Sequence, residues 1–151
     1  MLYDSDIDGK DSSIFRNKIM NHNQLYFIAI DSHDNVFGHY HPGVIDEISN
    51  FIYDDNIFIF TLNSNGRSGV KKFNRKRENN CTYIYDNNKY YNCYFCFDCG
   101  YWIHQIDTNN SWINNDVIVN CFEGIEETTL TGNCWPKDYF TTKRVIIIEM
   151  K

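Results

Sequence analysis

The stretch NCYFCFDCG, residues 92–100, supports two readings, and the choice between them decides the fold. Cys93, Cys96 and Cys99 have a spacing that zinc and iron–sulfur proteins use, while Tyr94, Phe95 and Phe97 between them are bulky strand formers. Side chains alternate along an extended strand, so Cys93 and Cys99 would face one way and Cys96 the other. Six residues at ~3.3 Å each separate Cys93 from Cys99 by ~20 Å, whereas two thiolates on one zinc lie within ~4 Å. An iron–sulfur site also wants a fourth cysteine with a following proline, and this segment has neither. Tyr90 to Asp98 therefore reads as a strand, and the chain as a sheet protein instead of a metalloprotein.

The remaining sequence reads the same way. Of 151 residues 17% are aromatic, Ala29 is the only alanine, and Ile, Tyr, Phe and Asn abound, a strand-rich composition diluted by turn formers. A chain of this length forms one domain, residues 1–151, and buries roughly 70% of its unfolded surface without help from a metal or disulfide. No apolar stretch approaches the ~20 residues that span a bilayer, and no leader pattern opens the chain. The expectation is a cytoplasmic protein with no membrane insertion and no cofactor. Its six cysteines, Cys81, Cys93, Cys96, Cys99, Cys121 and Cys134, stay reduced, several as small buried hydrophobes.

Asp11 caps a short amphipathic helix through Ile14, Phe15, Lys18 and Ile19 that ends near Asn21. LYFIAI (25–30), the turn DSHDN and VFGHY form a hairpin whose first strand is apolar on both faces and therefore central or covered. NIFIFTL (56–62), CTYIYD (81–86), YYNCYFCFD (90–98), YWIHQID (101–107), DVIVNCF (116–122) and RVIIIEM (144–150) read as further strands. The fold class is mainly β with short helices: a two-sheet antiparallel β-sandwich flanked by helices.

Two other near-motifs stop short of a site. DSDIDG, residues 4–9, matches the first half of a calcium-binding EF-hand loop, but Phe15 stands where the bidentate glutamate belongs, so the segment reads as a solvated acidic turn. His39 and His41 share one strand face as a candidate metal pair, without a placed third ligand. No nucleophile elbow, phosphate loop or zinc-protease helix is present, so no enzyme is expected. The net charge of −6 hides a split: Arg67, Lys71, Lys72, Arg75, Lys76 and Arg77 contribute six positive charges, leaving −12 on the rest. This run reads first as a solvated loop, with nucleic-acid association or nuclear import as alternatives.

Several segments, taken in order, resemble the TLDc domain family of oxidation-resistance and nuclear-receptor-coactivator proteins. LYDSDIDGKDSSIF resembles the family's opening, LYFIAIDSHDNVFGHY its hairpin, NIFIFTL its SFLFSL strand, and KKF (71–73) and CTYIY (81–85) its following elements. TLTGNCWPKDYFTTKRVIIIEM, residues 129–150, resembles its close. Where the family carries a glycine-rich FGGGHDLYI, this chain has FCFDCGYWI, with Cys96, Phe97 and Asp98 in place of glycines. The resemblance implies a TLDc-like sandwich and a non-enzymatic interaction domain in the oxidative-stress response or in regulation of the vacuolar proton-pumping ATPase, whose subunits are the implied protein partners. The positions carried over are Asp8, Gly9, Phe37, Gly38, Tyr40, Leu130, Thr131, Gly132 and Glu149. A cysteine-based redox or metal-binding protein is the alternative, and a nucleic-acid module using residues 67–77 the second.

Overall fold

The computed structural model describes residues 1–78, 80–98, 100–133 and 138–151. Its framework is the predicted hairpin: β2 (Leu25–Asp31) and β3 (Val36–His41) pair antiparallel from Leu25 opposite His41 to Ile30 opposite Val36. Asp31 fixes the turn, its carboxylate accepting the amides of His33 and Asn35 at 2.8 and 2.9 Å while Asp34 adopts φ 62°. This is the Asx-turn chemistry that DSHDN announces.

The hairpin sits inside a six-stranded sheet. β12 (Thr142–Glu149) pairs along β2, with β1 (Tyr3–Asp4) outside it, and β5 (Phe58–Asn63) and β6 (Lys71–Phe73) extend the other side. The second sheet runs in the order β11 (Tyr139–Phe140), β10 (Ser111–Ile113), β9 (Tyr101–Ile103), β8 (Phe95–Phe97), β7 (Cys81–Ile84) and β4 (Phe51–Tyr53). Every paired strand is antiparallel. Phe27, Ala29, Phe37 and Ile59 of the first sheet meet Phe95, Phe97, Tyr101 and Ile103 of the second in one core, all 0% exposed.

Three short helices trim the sheets. α2 (Ser12–Ile19) begins where expected, Asp11 accepting the Ser13 amide at 2.8 Å, and its Phe15 and Ile19 enter the core. DSDIDG is not the solvated turn expected. It forms a single helical turn, α1 (Ser5–Asp8), whose capping Asp4 is buried against the Arg144 guanidinium, and Asp8 takes an ammonium hydrogen bond from Lys18 at 2.7 Å. DVIVNCF is likewise not a strand: α3 (Asn115–Cys121) replaces it. Asn114 caps that helix by accepting the Val117 amide, and the 3.6-residue repeat sends Ile118 and Cys121 into the core. Burial of that stripe overrides the strand preference of its β-branched residues.

YYNCYFCFD also differs from expectation. Regular pairing covers only Phe95–Phe97, and Tyr94 and Phe95 both enter the core, so the side-chain alternation breaks between them. Cys93 and Cys96 consequently lie on the same outer side, and not on opposite ones. Cys99 and Cys134 lie outside the described residues.

Gly38 occupies a close approach in the first sheet. A Cβ there would run into the carbonyl oxygen of Phe27 and come within 2.9 Å of Phe60 Cζ. Gly38→Ala is expected to lower the unfolding free energy by about 1–3 kcal/mol, read from urea unfolding. An unchanged denaturation midpoint would contradict the approach.

Candidate functional site

His39 is a fully buried polar side chain in the core. β3 aims it across the interior, where its ring stacks between Phe27 at 4.7 Å and Phe97 at 4.8 Å. Nδ1 lies 2.7 Å from the Tyr101 hydroxyl and Nε2 lies 2.9 Å from Thr82 Oγ1, so both bonds cross to the second sheet. His41 shares the same strand face, as its spacing predicts, and its Nδ1 lies 3.0 Å from the same Thr82 oxygen. Nε2 of His41 is buried and has no hydrogen-bond partner among the described residues. It borders the space beside Gly43, where Asp54 Oδ2 also lies.

The pair is not a metal site on this geometry. Both nitrogens of His39 are engaged, and among the described residues no three His, Cys, Asp or Glu side chains are placed to hold an ion. Burial holds His39 well below the usual histidine range, with His41 adding to the effect, and burial lowers His41 to about 4 against an upward pull from Asp54. Both rings are therefore neutral where an unfolded histidine begins to protonate.

The four described cysteines are likewise buried. Cys93 Sγ lies 3.4 Å from His104 Nδ1, and Cys96 borders the same surface depression as Tyr85. Burial pushes the Cys81 and Cys96 thiols up to about 12 and raises Cys93 as well. Such thiols are poor nucleophiles because the reactive thiolate is scarce at neutral pH. Sequence reasoning identified the histidines and cysteines but not Thr82, Tyr101, Tyr85 or His104. Those partners arrive through pairing across the sheets, which leaves no local pattern.

The positions carried over from the family resemblance are spread through the structure. Asp8 accepts the Asp4 amide at 2.9 Å, and Gly9 takes φ 102° while its carbonyl accepts the Tyr3 hydroxyl. Phe37 packs edge-on against Tyr101 and Phe140, whereas Tyr40 lies on the outer face against Tyr26 and Phe58. Glu149 Oε1 pairs with His22 Nδ1 at 2.9 Å. Leu130, Thr131 and Gly132 are gathered around Arg67 of the basic run. The carbonyls of Leu130 and Thr131 accept from Arg67 and Asn35, and Gly132, at φ 79°, lies against the Arg67 guanidinium. Asn35 in turn donates to Asp31 at 2.7 Å, so the knot locks the hairpin turn to the segment before β11.

The basic run is not a free loop. Arg67 is drawn into that knot, Lys71 and Lys72 lie in β6, Arg75 pairs with Asp55 at 2.9 Å, and Lys76 donates to the Val119 carbonyl. Arg77 is exposed. The six charges therefore point to different surroundings and form no single stripe.

Two measurements follow from this geometry. Unfolded histidines titrate near 6.5 and the folded rings lie lower, so their contribution to stability is complete above pH 6.5 and is lost as pH falls from 6.5 towards 4. Between pH 6.5 and 5 the unfolding free energy should drop by up to about 1.4 kcal/mol per pH unit for each histidine, and His41→Gln should make that slope shallower. An unaltered slope in the variant would contradict the assignment. In brief alkylation of the folded protein at pH 8, Cys81, Cys93, Cys96 and Cys121 should stay unlabelled and become labelled in denaturant, as mass spectrometry can determine. Rapid native labelling of any of the four would refute their enclosure.

A comparison with protein-family models matches the TLDc domain over residues 1–149. No curated protein matches the chain. Among the described residues no helix is long and apolar enough to cross a membrane.

Proposed function

Because the chain belongs to the TLDc domain family, we propose that it acts without catalysis, as a protein-interaction domain in the oxidative-stress response or in regulation of the vacuolar proton-pumping ATPase. The observation that carries this reading is how far the fold encloses the chemically capable side chains among the described residues. His39 has both nitrogens bonded inside the core, and the Cys81 and Cys96 thiols are raised to about 12 by burial. What reaches the surface is shape and charge, the material of recognition. A domain of this kind would regulate a pump by occupying a surface on one of its subunits.

The test is co-elution of the full chain with the purified soluble sector of the proton pump on size exclusion, at micromolar concentration. A shared peak of fixed stoichiometry is expected. Separate peaks at every concentration tried would remove the pump as partner.

A further inference from the structure

We propose that the outer face of the first sheet is a docking site for an acidic amphipathic helix of a partner protein. This inference rests on the reading of the chain as an interaction domain, and it names the surface and the chemistry of what binds there.

The sequence of β2 is apolar on both faces, the pattern of a strand covered on both sides. Its inward residues, Phe27 and Ala29, are covered by the second sheet. Its outward residues, Tyr26 and Ile28, join Phe58, Phe60 and Ile148 as the floor of a groove of about 420 Å³. Three apolar side chains on its margins face solvent, Leu62 at 44% exposure, Met150 at 50% and Val70 at 78%. None of the three helices contributes to the lining. The strands are thus built for a third layer that the described residues do not supply.

Charge identifies what kind of layer fits. The lining includes Lys71 and Lys72 and no acidic residue. Lys72 Nζ lies 3.9 Å from the centroid of the Phe58 ring, and neither lysine forms an ion pair among the described residues. The protein carries a net charge of −6, yet two lysines without an ion pair among the described residues border this apolar groove. A second copy of the chain brings another −6, and an anionic membrane is broad enough to feel the whole acidic molecule. A short helix feels mainly what lies within a Debye length of ~8 Å, where the two lysines are.

A helix is the natural occupant because helix on sheet is a standard layer packing, with anchors at i, i+3, i+4 and i+7. Four strands side by side span about 15–20 Å, the length of a helix of about 10–13 residues. Its apolar stripe would cover Tyr26, Phe60 and Ile148, and glutamates along one flank would meet Lys71 and Lys72.

The probe is a fluorescein-labelled helical peptide of about 16 residues, with leucine and phenylalanine along one stripe and glutamate elsewhere. Anisotropy reads its affinity for the full chain, and amide chemical shifts locate it. Expected are saturable binding, shifts centred on β2, β5 and β12, and a loss of about tenfold or more in Leu62→Asp/Val70→Asp. Those two side chains are exposed, so the variant should keep its fold, which circular dichroism checks. Lys71→Glu/Lys72→Glu should weaken the acidic peptide about tenfold or more and bind its lysine counterpart more tightly instead. Equal affinity in wild type and variants, or shifts confined to another surface, would overturn the proposal. So would a groove-dependent dimer or groove-dependent binding to phosphatidylserine vesicles in place of the peptide. Failure to co-elute with the pump leaves this peptide result standing, and failure of the peptide leaves pump binding open, so the two readings fail separately.

Discussion

His39 ties the two sheets together, and the rest of the architecture is arranged around it. It belongs to the first sheet, but both ring nitrogens bond to side chains of the second, and its faces are covered by Phe27 and Phe97, one from each sheet. Apolar contact between sheets is strong but tolerant of sliding. Two directed bonds at opposite ends of a clamped ring are not tolerant, because displacement leaves a buried polar atom unpaired at about 1–3 kcal/mol each. The arrangement requires an uncharged imidazole, which the surrounding aromatic rings favour by excluding water.

The parts of this fold legible in the sequence are those whose cause is local. DSHDN encodes its turn in the side chain of Asp31, and Asp11 marks the start of α2 by capping it. The errors have long-range causes. Val117, Ile118 and Val119 favour a strand locally, yet docking of Ile118 and Cys121 against the core makes the segment a helix. The parity break at Tyr94 and Phe95 arises because both rings reach Phe15 of α2, which is distant in sequence. Strands of two or three residues, such as β1, β4 and β11, are too short to carry a period of their own. The basic run is compact in sequence but dispersed in space, since its members attach to Asn35, Asp55 and Val119 on separate elements.

The departure at residues 95–103 has a structural account. Phe97, standing where the resemblance expects glycine, is fully buried and forms one side of the His39 clamp, with Phe122 packed behind it at 5.6 Å. Bulk in that stretch therefore strengthens the core. Cys96 faces the other way, towards Tyr85, while Gly100 closes the turn with its amide donating to the Phe97 carbonyl at 2.9 Å.

Thr82 has one hydroxyl proton and two imidazoles to serve. It can donate to one ring only, and when it does it accepts from the other, which sets the tautomers of His39 and His41 jointly. One direction runs from the Tyr101 hydroxyl through His39 and Thr82 to His41 and leaves an N–H at Nε2, on the side where Asp54 lies. The reverse direction would turn a lone pair towards that carboxylate and strand the phenolic proton. The negative charge of Asp54 favours the first direction from the far end of the chain, without touching His39.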